Sequence, residues 1–266
     1  MRLFYRKYGN GPPLIILHGL LGSSDNWVTI ARAISNRLTV ILPDQRNHGL
    51  SPHSDVHDYE SMSNDIKELA DDLKLDRFIL AGHSMGGKTA VSFACKWPER
   101  LNGLLIADIS PFKTESQTSE TDRHLSILRV VLSIDPAGIT SRGEAESILS
   151  GRIADERTRG LILKNLVRNS DNSFSWKINA FSLLHNFNKI IEAIVPENIT
   201  GNPITGFPVI FLKGEKSEYL PEKDFFGILN IFPAAEFITI PSAGHWLHVD
   251  NPEAVKKCLL GFSGTG

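Results

Sequence analysis

Short apolar runs alternate with stretches of helical spacing along most of this chain. Arg2–Tyr8 reads as an edge strand and Leu14–Leu17 as a buried one. Leu38–Leu42, Phe78–Ala81, Leu101–Ala107, Val209–Leu212 and Glu236–Ile240 follow as further strands. Helical patterns fall between them at about Trp27–Ser35, Tyr59–Leu73, Met85–Trp97, Pro221–Ile231 and Pro252–Phe262. Strand and helix in alternation predict an α/β fold with a mostly parallel sheet covered on both faces. Ligands in such sheets sit beyond the carboxyl ends of the strands.

One region breaks the alternation. From Phe112 to about Gly206 no convincing core strand is found. Helical stretches instead occupy Asp122–Ile134, Gly143–Gly151, Asp155–Asn169 and Ile178–Ile194, and Phe174–Trp176 suits a short extended piece. The expected organisation is a core over 1–111, a helical cap inserted over 112–206, and the rest of the core over 207–266. Ser263–Gly266 reads as a flexible tail.

The most informative segment runs from Phe78 through Gly82-His83-Ser84-Met85-Gly86 into the helix beyond. A strand, a Gly-x-Ser-x-Gly turn and a helix form the context of a nucleophile elbow. Ser84 would sit at a strained position on a turn too sharp for side chains at Gly82 and Gly86. The following helix would turn its free N–H groups toward an oxyanion formed there.

A serine hydroxyl needs a base. His245, on the Gly-containing loop after the last strand, is the candidate, with His248 three residues on as competitor. Two backbone donors are required for an oxyanion: Met85 N–H, and a donor from His18–Ser23, assigned here to Leu20. The orienting acid is less direct. After Val209–Leu212, where such folds often carry Asp, this chain has Ser217. Asp108 instead ends the preceding strand, beside the nucleophile strand, and is assigned as the acid, with Glu218 and Glu215 as alternatives. Ser217 would then donate to Asp108 and keep it aimed at His245.

Two polar clusters remain. Asp44-Gln-Arg-Asn-His-Gly-Leu-Ser51 reads as a hydrogen-bonded loop bracing neighbouring turns. His53, Asp55, His57 and Asp58 have ligand chemistry but lie in a Pro-containing loop, and no metal is expected there. Phe174, Trp176, Phe181 and Phe187 either line an apolar acyl pocket or pack as core.

The 266 residues suit one large α/β domain with an insertion. The formal charge of −2 offers no general attraction to nucleic acid or an anionic membrane. Between Thr121 and Ser170, 8 Lys/Arg face 6 Asp/Glu, an ordinary solvated balance. Cys95 and Cys258 lack metal-ligand spacing, and the chain shows no signal-peptide or membrane-span pattern, so a cytoplasmic setting is expected.

Taken together, His18–Ser23, Asp44-x-Arg-Asn-His-Gly49, Gly82–Lys88, Ala107–Pro111 and Gly244-His-Trp246 resemble the α/β-hydrolase superfamily. Within it the resemblance is to YbfF-type esterases and the abhydrolase domain-containing 11 proteins, over essentially the whole chain. It implies a Ser84–His245–Asp108 triad supported by Ser217, and esterase activity on acyl esters or thioesters. No cofactor is expected, and the chain is expected as a monomer or small homo-oligomer. An acyltransferase or lyase with the same triad, and a ligand-sensing regulator on a hydrolase fold, are the alternatives.

Overall fold

The computed structural model describes residues 1–112, 117–194 and 203–264. Seven strands form one sheet: β1 (Tyr5–Tyr8), β2 (Pro13–Leu17), β3 (Thr39–Pro43), β4 (Phe78–His83), β5 (Leu101–Ala107), β8 (Val209–Gly214) and β9 (Ala235–Ile240). Between β5 and β8, a separate two-stranded ladder pairs β6 (Leu166–Arg168) with β7 (Phe174–Trp176). The large sheet has the order β1-β3-β2-β4-β5-β8-β9, and only the β1–β3 pair is antiparallel. Helices α1 (Val28–Ile34), α2 (Tyr59–Asp72) and α3 (Met85–Lys96) connect the first strands. Next come α4 (Gln117–Leu132), α5 (Arg142–Ser150), α6 (Glu156–Leu163), α7 (Ala180–His185) and α8 (Phe187–Ile191). α9 (Phe225–Ile231), α10 (Leu247–Asp250) and α11 (Pro252–Gly261) complete the set.

Pleating divides each central strand between two cores. Ile15 and Leu17 of β2 join one apolar cluster with Phe93 of α3, Ile228 of α9 and Phe211 of β8. Leu14 and Ile16 join the opposite one with Ile30 of α1 and Leu259 of α11. Burial on both faces is why these strands read as unbroken apolar runs. A third cluster joins Leu21, Tyr59 and Met85 to Leu128, Leu149, Leu183 and Phe187 of the segment between β5 and β8.

Three element readings change. The edge strand shortens from Arg2–Tyr8 to Tyr5–Tyr8. The helix expected over Asp155–Asn169 stops at Leu163, and Leu166–Arg168 pairs with Phe174–Trp176 across a turn holding Asn172 at φ 70°. Ile178–Ile194 divides at Asn186 into α7 and α8. Of the expected tail, Ser263 and Gly264 belong to a 3₁₀ turn, and Thr265 and Gly266 lie outside the described residues.

Candidate active site

β4 delivers Ser84 to the carboxyl edge of the sheet with φ 54° and ψ −122°, a region L-residues avoid unless the surroundings hold them there. The constraint is visible in the glycines. A Cβ on Gly82 would lie 2.2 Å from the carbonyl oxygen of Gly86, and one on Gly86 would lie 2.6 Å from those of Leu17 and His18. The Ser84 N–H donates to Ala107 O at 3.1 Å, tying the bend to β5, and α3 begins at the next residue.

β4 and β5 run in parallel with His83 opposite Ala107, so Ser84 and Asp108 are successive residues at adjoining strand ends. Asp108 also has positive φ, 53°. Its carboxylate is fully buried and surrounded by donors. Oδ1 accepts the Gly214 N–H at 2.8 Å, and Oδ2 accepts the Ser217 hydroxyl and lies 2.8 Å from Nδ1 of His245. The structure therefore brings Asp108, Ser217 and His245 together. It does not bring Glu215 there, since that carboxylate accepts the Ser242 N–H at 2.7 Å on the surface. Glu218 is exposed on a cavity wall.

Three further residues position His245. The ring of Tyr219 stacks on it with centroids 3.7 Å apart. His83 donates from Nε2 to the His245 carbonyl at 2.7 Å. Asp250 accepts the neighbouring Gly244 N–H at 2.9 Å and pairs with Arg157 of α6 at 2.8 Å. Sequence reasoning missed all three. His83 had the one available signal, its place just before Ser84; Tyr219 and Asp250 reach the site only through the fold. His248 borders the same cavity as Ser84 and His245, but its ring stacks on Trp27 with centroids 4.5 Å apart and stands edge-on to His83 at 5.1 Å, and burial lowers its pKa to about 4.

Facing Ser84 from β2 is the turn His18–Ser23. A Cβ on Gly19 would stand 3.2 Å from Ser84 Cβ, so the backbone here runs close against the elbow. The polar cluster after β3 holds this turn. Gln45 N–H donates to His18 Nε2 at 2.9 Å, and His18 Nδ1 lies 2.8 Å from Gly19 O. The Leu21 N–H donates to His48 Nε2 at 3.2 Å, while His48 Nδ1 lies 2.9 Å from Arg46 O. A carbonyl only accepts, so each Nδ1 carries the proton and both imidazoles are neutral. Burial agrees, holding His18 below and His48 well below the ordinary imidazole pKa. Arg46 forks onto Asp65 at 2.7 and 2.9 Å beneath the loop. Gly49 at φ 60° is needed because a side chain there would strike the Asp44 carboxylate.

Of the four residues with ligand chemistry, Asp58, His57 and His53 have side-chain partners, and Asp55 has one through its backbone. Asp58 caps α2 through the Ser61 N–H at 2.7 Å, and Nδ1 of buried His57 lies 3.2 Å from Nδ2 of Asn47. His53 Nε2 lies 3.2 Å from Lys177 O, and the Asp55 carbonyl accepts from Asn186 at 2.7 Å. Among the described residues no group of three or more His, Cys, Asp and Glu is arranged to hold a metal ion. Nor is any helix there long and apolar enough to cross a membrane.

Ser84 and His245 line one cavity of about 680 Å³, walled also by Leu20, Ser217 and Tyr219. A seven-stranded, mostly parallel sheet with a serine on a forced bend, and beside it a buried aspartate paired with a histidine, defines a class. Residues 12–126 match the family described as alpha/beta hydrolase fold, and the chain belongs to the α/β-hydrolase family. It is 35% identical over 254 residues to the sn-1-specific diacylglycerol lipase ABHD11 of Xenopus laevis, covering 95% of this chain and 80% of that one. Identity to Esterase YbfF of Escherichia coli (strain K12) is 30% over 250 residues, covering 94% and 92% of the two chains. A solved structure, a marine microorganism esterase, is 43% identical with a TM-score of 0.93, covering 98% of this chain and 99% of that one.

Proposed function

We propose that this chain is a serine hydrolase that cleaves carboxylic esters through an acyl-enzyme on Ser84. The observation that carries the reading is the adjacency of Ser84 and Asp108 at neighbouring strand ends, with His245 bonded to Asp108 and sharing a cavity with Ser84. His245 removes the Ser84 proton as Oγ attacks the ester carbonyl. The N–H groups of Leu20 and Met85 stabilise the oxyanion. The bond to the leaving oxygen breaks as His245 protonates that oxygen. Water then attacks the acyl carbon, gives its proton to His245, and Ser84 regains a proton as the acid departs. Asp108 holds the imidazole tautomer throughout, and Ser217 holds Asp108. In this reading the described part of the 112–206 insertion forms a cap over the carboxyl edge of the sheet, residues 113–116 and 195–202 lying outside the described residues. The resemblance extends the substrate class to thioesters.

Hydrolysis of p-nitrophenyl esters and acyl-CoA thioesters tests the reading, with Ser84→Ala as control. A fluorophosphonate should label the wild type once, at Ser84, and turnover should vanish in Ser84→Ala. Undiminished turnover by Ser84→Ala overturns the proposal.

A further inference from the structure

Ser84 stands where two cavities of unlike size and chemistry meet. The larger, of about 680 Å³, is bordered by His245 and by Trp246, Arg157, Lys164, Lys216 and Glu218. The smaller, of about 60 Å³, is bordered by Leu20, Ser84 and Met85 and mostly by apolar groups such as Ile109, Phe187 and Ile190, with Lys88, Thr121 and His124 among its polar walls. His245 is not among the walls of this recess.

That difference assigns the two halves of an ester. His245 must reach the leaving atom to protonate it, so the leaving group lies in the cavity that His245 borders. The acyl chain is the other substituent of the same carbonyl. It points into the space that His245 does not border, alongside Leu20 and Met85. Size then sets the chain length. One water takes up about 10–15 Å³ of such cavity volume, so a recess of about 60 Å³ has room for roughly four to six heavy atoms.

We propose that the small recess is the acyl-chain site, and that the substrate class is esters of short acids, about two to four carbons, with bulky polar leaving groups. This rests on the serine-hydrolase reading above.

The far wall of the recess is fastened, which fixes its depth. α8 closes it with Phe187 and Ile190, and two core side chains hold the end of that helix. Tyr59 donates its hydroxyl to Ile190 O at 2.6 Å, and Lys88 Nζ lies 2.7 Å from Glu192 O and 3.4 Å from Ile191 O. Lys88 is 2% exposed. A buried ammonium must keep its protons bonded, so Lys88 and the end of α8 hold each other in place. Of the four aromatics weighed in the sequence, only Phe187 borders this recess. Phe174 packs in the third apolar cluster with Trp176 against it, and Phe181 is 68% exposed.

The test is kcat/KM across p-nitrophenyl esters from acetate to palmitate, for wild type, Phe187→Ala and Ile190→Ala, with fluorophosphonate labelling of Ser84 in each. A second series holds the acid as acetate and enlarges the alcohol. The expected result is a fall of at least about 10-fold between butyrate and octanoate in the wild type. At least one widened variant should move its optimum to longer chains, and acetates of larger alcohols should stay within a few-fold of one another. Lys88→Met, which keeps Phe187 and Ile190 but alters a wall residue as well as the tie to α8, should blunt the chain-length preference. Octanoate or palmitate equal to acetate in a labelled wild type overturns the acyl-site assignment alone. So does an unmoved optimum in both widened variants that still label. Failure of the wild type to label at Ser84 overturns the serine-hydrolase reading itself.

Discussion

Asp108 Oδ2 lies 2.8 Å from Nδ1 of His245, with the carboxylate fully buried and the imidazole 20% exposed. Every contact of that carboxylate described above is with a donor: the Gly214 N–H, the Ser217 hydroxyl and the His245 ring. An acceptor-only group is thus matched to a site that offers only donors.

Asp108→Asn puts an NH₂ group among those donors, so the imidazole loses its orientation. We expect kcat to fall at least about 10³-fold. Ser217→Ala removes one donor of three and should cost no more than about 10-fold. Glu218→Gln and Glu215→Gln should change kcat little. Steady-state kinetics decide it: a crippled Glu218→Gln beside a mild Asp108→Asn would move the acid role to Glu218.

Gly86→Ala drives a methyl into the carbonyls of Leu17 and His18, and Gly82→Ala drives one into that of Gly86. Backbone cannot yield as a side-chain tip does. We expect each change to lower Tm by about 5 °C or more, and to reduce fluorophosphonate labelling. Thermal melts beside wild type check it, and an unchanged Tm would mean that the bend relaxes freely.

Much of this was legible in the sequence, for identifiable reasons. The central strands are buried on both faces and therefore appear as apolar runs, and the crowded bend leaves its mark as Gly82 and Gly86. The nearness of Asp108 to the Ser84 bend was legible from its place at a strand end. What escaped notice depends on distance along the chain or on ambiguous periodicity. Asp250 and Arg157 are 93 residues apart, and no local pattern joins them. Leu166–Arg168 carries apolar spacing that fits a helix or a strand equally well, and pairing with Phe174–Trp176 decided between them.

Buried histidines predict an acid-sensitive fold. Burial lowers the pKa of His57 to about 3 and of His248 to about 4, and holds His18, His48 and His83 below the ordinary value. Unfolded, each binds its proton near pH 6.5. Between about 6.5 and 4 the unfolded chain therefore binds more protons than the folded one, so stability is full above about 6.5 and falls as pH drops. Each proton of difference should steepen the loss by about 1.4 kcal/mol per pH unit. Denaturant titrations at stepped pH would show it, and flat stability from pH 7 to 5 would contradict it.

Asp250 links α6 to the loop carrying His245, and its two contacts differ in weight. Asp250→Ala frees the Gly244 N–H and should lower kcat about 10-fold with little change in fold. Arg157→Ala removes an exposed ion pair, which is worth little in water, and should leave Tm within about 2 °C. A loss of kcat for Arg157→Ala as large as for Asp250→Ala would show that the ion pair, not the N–H contact, sets the loop.

The rung that joins His83 to Ala107 has an architectural consequence. Ser84 and Asp108 both precede the long excursion between β5 and β8, on neighbouring strands fixed by main-chain pairing. The excursion is therefore topologically free of them. Its helices can be exchanged or resized to suit a new substrate while the spacing of the two groups beneath stays under the control of the ladder. Only the imidazole must be carried back from the far side of the splice.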